Sequence, residues 1–153
     1  MSTRTKRMKS KMLAIAVVVA IVLCLSPVQS APEGHGYKVI VNSANPVTSV
    51  SKDDLSRIFL KKTSKFGNGH AAAPVDLPAS SPVREGFSKD VHGKSTSAVE
   101  AYWQQQIFSG RDVPPGQKSE SAAVEFVRSN PNGVAYVSAG TATEGVKVVT
   151  VTN

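Results

Sequence analysis

The run Tyr37-Lys38-Val39-Ile40-Val41-Asn42, followed by Asn45-Pro46 and then Ser51-Lys52-Asp53-Asp54-Leu55-Ser56-Arg57-Ile58-Phe59, decides the fold. Lys38 to Val41 is a short β-branched run closed by Asn42, which reads as a buried strand. Asn45-Pro46 marks a turn. Ser51 and Asp54 stand at capping-box spacing: the serine can accept from the amide three residues on, and the aspartate can reach back. Leu55, Ile58 and Phe59 then fall on one face of the helix that this box opens. A strand that turns into a helix in this way begins an α/β chain.

The remainder repeats the alternation. Thr63 to His70 is loop-like, and Pro74-Val75-Asp76-Leu77 is a second strand. Ser81-Pro82 is an N-cap with proline at the first helical position, opening a helix through Phe87 and Val91 that stops near Gly93. Ser97-Ala98-Val99-Glu100 is another capping box, leading into Tyr102, Trp103, Gln106 and Ile107 and ending at Gly110. After the break at Pro114-Pro115-Gly116, Ser119 or Ser121 starts a helix bearing Ala123, Val124 and Val127. Asn130 to Gly133 turns the chain into a strand at Val134–Val137, and Val146–Val151 is the last strand. Tyr102, Trp103 and Phe108 are expected in the core with Leu55, Ile58, Phe59, Phe87 and Phe126. Strands interleaved with helices give an α/β sandwich around one sheet.

The first thirty residues read differently. Arg4, Lys6, Arg7, Lys9 and Lys11 precede an apolar run from Met12 to Leu25, and Val28-Gln29-Ser30 follows with small residues at the positions a signal peptidase prefers. A retained membrane anchor is the competing reading, but the run is shorter than the ~20 residues that span a bilayer as a helix. Cleavage after Ser30 is therefore expected, placing the remainder in the periplasm or outside the cell. Leu23, before Cys24, departs from the small residue that a lipid-attachment site needs, and Cys24 is the one cysteine, so the mature chain has no thiol chemistry. The expected layout is residues 1–30 signal peptide, 31–36 flexible lead-in and 37–153 a single domain. Of the 18 basic and 11 acidic residues, the signal takes five basic ones, leaving 13 against 11, a net +2. That charge does not support nucleic acid as a partner.

Several segments together resemble the substrate-binding protein of the phosphate ABC transporter. They are Val50 to Lys62 with its Ile58-Phe59-Leu60-Lys61, Phe66-Gly67-Asn68-Gly69 before Pro74-Val75, and Asn132-Gly133-Val134-Ala135-Tyr136-Val137. That family has Ile-Phe-Leu-Gly-Lys at the first place and Gly-Ala-Ile-Gly-Tyr-Val at the last. Ser81 sits where the family has the serine of its Ser-Gly-Thr anion loop, and Phe87 where a phenylalanine follows. The resemblance covers roughly residues 37–140. It implies a three-layer α/β sandwich like one lobe of a type II periplasmic binding protein, and a phosphate-like ligand. Two departures accompany it. The family has two lobes and more than twice this length, so the chain is more similar to short single-domain relatives. The family's arginine four residues before the serine falls on Leu77, and its Gly and Thr fall on Pro82 and Val83.

An oxyanion can be held by bare amides at a helix start together with hydroxyl donors. Ser80 and Ser81 precede such a start, Pro82 removes one amide from it, and Arg84 in the first turn can supply a planar fork. The alternative is that Ser81-Pro82 is a plain cap. Ser43 and Thr48, after the first strand, form a second set of hydroxyls or else ordinary turn residues. His35, His70 and His92 have no paired spacing, so no metal is expected, and no nucleophile elbow or nucleotide loop calls for a cofactor or an enzyme. Two functions follow. One is an extracytoplasmic module for phosphate or a related oxyanion, serving a membrane transporter. The other is a binding-protein-like domain without ligand that meets an envelope protein. A pair of copies rebuilding a two-sided cleft is a variant of the first.

Overall fold

A computed structural model describes residues 36–153; the expected signal peptide, its cleavage site, Cys24 and residues 31–35 lie outside the described residues. Gly34–Asn153 is a compact unit of its own. Its strands are β1 (Tyr37–Asn42), β2 (Ser49–Ser51), β3 (Ala73–Pro74), β4 (Gly133–Ser138) and β5 (Val146–Thr152). Its helices are α1 (Lys52–Phe59), α2 (Pro82–Phe87), α3 (Thr96–Phe108) and α4 (Glu120–Ser129).

The five strands form one mixed sheet in the order β2-β5-β1-β4-β3. β1 is antiparallel to both neighbours, with Val39 opposite Tyr136 and Val149, while β2 runs parallel to β5 and β3 parallel to β4. Because side chains alternate across a strand, β1 and β4 feed two separate cores. Val39, Val41, Val134 and Tyr136 pack under Leu55, Ile58, Phe59 and Phe87 from α1 and α2. Ile40, Ala135 and Val137 pack on the other face against Ala123, Val124 and Val127 of α4. Helices on both faces make the expected three-layer α/β sandwich. Each fully buried aliphatic side chain contributes roughly 1.5–3 kcal/mol relative to exposure. β1 supplies both layers at once.

The helix starts are set by serines. Ser51, Ser81, Ser95 and Ser119 each accept from the amide three residues on. At Ser51 only the serine half of the capping box forms, and the Asp54 carboxylate lies instead against Gly67. α2 runs directly into a π-helical turn, Ser88–His92, which stops at Gly93 in the left-handed region (φ 62°), as its glycine suggests. α3 corrects the sequence reading: its cap is Ser95, and Ser97 lies inside the helix. The cause is tertiary, since Glu85 accepts from both the Thr96 amide (2.9 Å) and the Thr96 hydroxyl (2.6 Å). Those bonds, and a further one from Lys89, hold the Glu85 carboxyl down at about 2.

Two more expectations are corrected. The strand expected at Pro74–Leu77 is shorter, because after Val75 the chain leaves β4 and Asp76 pairs with the Gly116–Lys118 segment. Phe108 is not in the core: Val99 and Trp103 pack on Leu60 with Tyr102 alongside, whereas Phe108 at the helix end is 90% exposed. Phe126 is half-buried against the α4 core.

Gly133 opens β4 against the end of α4, where an added Cβ would lie 2.9 Å from Val127 Cα and 3.0 Å from Asn130 O. Both are backbone atoms, so the clash cannot be relieved by a side-chain rotation. Gly133→Ala is expected to destabilise the Gly34–Asn153 unit by about 1–3 kcal/mol in urea denaturation. Gly140→Ala, with open space around it, is expected to stay within about 0.5 kcal/mol of the parent.

Candidate functional site

Tyr37 faces Ser138 at one end of the sheet, and Asn42 faces Val146 at the other. β3 points toward the Tyr37 end, and Leu77 to Ser81 follow from it there. The Ser81 amide donates to Pro78 O (2.9 Å), closing a turn that delivers Ser80 and Ser81 to the start of α2. Ser80 is exposed and Ser81 half-buried. The cap bond from the Arg84 amide to Ser81 Oγ is long, 3.4 Å. The hydroxyl proton remains available to another acceptor, and first-turn amides lack helical carbonyls to bond.

Arg84, one turn along, is 2% exposed and turns inward. Its Nη1 donates to Leu77 O (3.0 Å), and its Nη2 lies 3.4 Å from Asp76 Oδ2. Asp76 Oδ1 accepts from the Leu77 amide (2.9 Å) and from the Tyr136 hydroxyl. Burial pushes the Asp76 carboxyl above its ordinary range, against the pull of Arg84 and the Tyr136 hydroxyl. Burial, with the carboxylate beside it, also raises the Tyr136 phenol. Arg84 Nε is buried without a hydrogen-bond partner. The fork anticipated for a ligand is thus spent on Asp76, and Leu77, which stands at the arginine position of the resemblance, is a core residue at 1% exposure. Lys52, at the start of α1, is also paired, with Asp90 at 2.8 Å.

Ser43 and Thr48 do not join this turn. Ser43 follows Asn42 at the opposite end of the sheet, and Thr48 is held at the β5 edge, where its carbonyl accepts from the Thr150 amide (3.0 Å). Thr48 lines a cavity of about 380 Å³ with Ser49, Ser51, Asp54, Asn68 and Thr152. That lining is rich in hydroxyls, but it carries a carboxylate and no cation, which disfavours an anion. Sequence reasoning missed Asp76 and Tyr136. The signal was an acidic residue inside an otherwise apolar strand, which needs a buried partner. Among the described residues no group of three metal-ligating side chains occurs, and no helix is long and apolar enough to cross a membrane.

His92, in the π-helical turn, bonds Ser56 Oγ through Nδ1 (2.9 Å) and meets Phe87 edge-on at 5.5 Å. Burial first, then the charges of Arg84, Lys62 and Lys94, lower its pKa from 6.5 to about 4. A folded-state pKa below the unfolded one means that the unfolded chain binds the extra proton between about pH 6.5 and 4. Stability from a neutral His92 is therefore full above that window and is lost as the pH falls through it. Relative to His92→Asn, the parent is expected to lose about 2–3 kcal/mol between pH 7 and pH 4 in denaturant titrations.

The buried pair makes a second prediction. Arg84→Met leaves the Asp76 carboxylate buried and unpaired, and is expected to cost about 3–5 kcal/mol. Adding Asp76→Asn removes the charge and recovers most of that loss, as urea denaturation of the single and double variants will read.

No family model matches the chain, and no curated protein does. Solved structures do. An ABC-type phosphate transport receptor from Vibrio cholerae superposes with a TM-score of 0.58 at 22% identity, over 76% of this chain and 46% of that one. PstS from Borrelia burgdorferi gives 0.58 at 15% identity, over 77% and 47%. A Clostridium perfringens substrate-binding protein with bound phosphate gives 0.55 at 19% identity, over 76% and 44%. The chain spans less than half the length of each. Its fold is that of an α/β lobe of the periplasmic binding proteins found among phosphate ABC transporter receptors.

Proposed function

We propose that this chain is an extracytoplasmic solute-binding module whose ligand is phosphate or a related oxyanion, delivered to a membrane transporter. The observation that carries the reading is the Pro78–Ser81 turn: it sets two serine hydroxyls at the start of α2, in a fold shared with phosphate receptors. Ser80 and Ser81 donate to the oxyanion, with the Val83 amide behind them; Pro82 has no amide hydrogen, and the Arg84 and Glu85 amides are bonded to Ser81. Arg84 acts from beneath: it holds α2 on the Asp76–Leu77 segment, and it does not touch the ligand. Ser43 and Thr48 lie outside this site. The first thirty residues support export.

A second reading is favoured by one observation. Arg84, three residues on from Ser81, is already paired with a carboxylate. A domain with this fold whose site arginine is turned inward suits an interaction role in the envelope, without a ligand.

Calorimetric titration of the Gly34–Asn153 unit with orthophosphate, with chloride as control, separates the two. The solute-binding reading expects saturable binding near micromolar, about −8 kcal/mol. Ser80→Ala with Ser81→Gly is expected to weaken it by at least about tenfold, because hydrogen bonds to a charged group are lost. Glycine largely preserves the cap, and Ser43→Ala is expected to change nothing. No heat with phosphate, and no thermal shift, sinks the first reading in favour of the second.

A further inference from the structure

We propose that the end of the domain where α1 and α3 finish is a docking face for an anionic phospholipid surface. Among the described residues four large hydrophobics are exposed, and three of them, Ile107 (50%), Phe108 (90%) and Val113 (58%), fall within one short stretch. Exposed apolar side chains gathered in this way mark a contact surface, whereas single ones are ordinary. The stretch is held firmly: the Gly110 amide donates to Ile107 O (3.0 Å) and the Arg111 amide to Gln106 O (3.0 Å), with Gly110 at φ 65°. Phe108 is thus presented on a closed helix end.

Cations stand beside this stretch. Lys61, Lys62 and Lys65 follow α1, and Arg111 stands in the turn beside Phe108. Asp112 joins the two segments: its carboxylate lies 3.5 Å from Lys61 Nζ, and it lines a cavity of about 480 Å³ with all three lysines. One carboxylate against four cations leaves the face strongly positive. Lys61 is held at φ 52°, in the left-handed region where glycine is unstrained. The chain thus carries a cation at a position where the backbone favours a residue without a side chain.

Apolar side chains flanked by lysine and arginine suit the headgroup boundary of an anionic bilayer, where the rings and aliphatic groups enter the interface and the cations meet phosphates. A second copy fits less well, since a twofold contact would set this positive face against itself. The face also lies away from the Ser80–Ser81 turn. α1 starts beside the carboxy end of β5 and runs back along the sheet, so Lys61–Lys65 sit near Ala73, which pairs with Gly133, whereas the turn follows the other end of β3. Docking leaves the turn open.

The test is co-sedimentation of the Gly34–Asn153 unit with vesicles of mixed phosphatidylglycerol and phosphatidylcholine, beside vesicles of phosphatidylcholine alone. Binding is expected on the anionic vesicles and is weakened by added salt. Lys62→Glu with Lys65→Glu is expected to lower partitioning by at least about tenfold, and Phe108→Ser to lower it as well. These side chains are exposed, so circular dichroism should report a folded chain in every variant. Val148→Ser, exposed on β5, is expected to leave binding unchanged. Equal partitioning to both vesicle types, or binding indifferent to these substitutions, overturns the proposal. So does self-association abolished by Phe108→Ser without any vesicle binding, which assigns the face to a second copy.

Discussion

The contact between Arg84 and Asp76 is the constraint on which the α1–α2 side of the molecule rests. A guanidinium and a carboxylate buried this far carry a large desolvation cost, and such a pair is tolerated only where its remaining donors and acceptors are used. Here the Leu77 carbonyl, the Leu77 amide and the Tyr136 hydroxyl use all but Arg84 Nε. The pair therefore constrains one rotation of α2 over the sheet. That rotation drops Phe87, one turn on, flat against Tyr136, with ring centroids 3.8 Å apart and planes 3° from parallel. It also brings Phe87 edge-on to Phe59 and to Tyr37, at 5.0 and 5.2 Å. Four aromatic rings from α1, α2, β1 and β4 are thus registered by one polar contact.

The same pair shapes what the Ser80–Ser81 turn can recognise. With Arg84 spent on Asp76, an anion held at the turn as proposed would meet the two hydroxyls and the Val83 amide and no free guanidinium. Recognition by neutral donors depends on geometry more than on net charge, so a rigid turn matters, and Arg84 supplies the rigidity from below. Exposed lysines cluster elsewhere, at Lys61, Lys62 and Lys65 after α1. The lysines that follow α1 and the serines at the start of α2 lie toward opposite ends of one sheet.

The stretch from Tyr37 to Phe59 was readable because its signals are local. A β-branched run, a proline turn and a serine three residues before a free amide act through neighbours a few bonds away. The N-caps at Ser51 and Ser81, the stops at Gly93 and Gly110, and the strand from Val134 came through for the same reason, and of the two serines open for α4 the cap is Ser119. Where a distant group took part, the local reading failed. Ser97 lost the cap of α3 to Ser95 once Glu85 bonded Thr96, and the strand after Pro74 was drawn off β4 by the Gly116–Lys118 segment. Phe108 has the hydropathy of a core residue, but it lies at a helix end with nothing packed over it.

The sequence by itself determined the alternation of strands and helices, the sandwich that this alternation forms, and the serines that stand at the start of α2. Periodicity and capping are properties of short segments, and they survive without knowledge of what packs on them. Only the tertiary structure decided that Arg84 faces inward, that Ser43 and Ser81 lie at opposite ends of the sheet, and that Asp112, just past Phe108, lies against Lys61. Each of these depends on strand order and register, which bring together residues far apart in the chain. A side chain's charge is visible in sequence, but whether that charge is free is settled by the partner that folding places beside it.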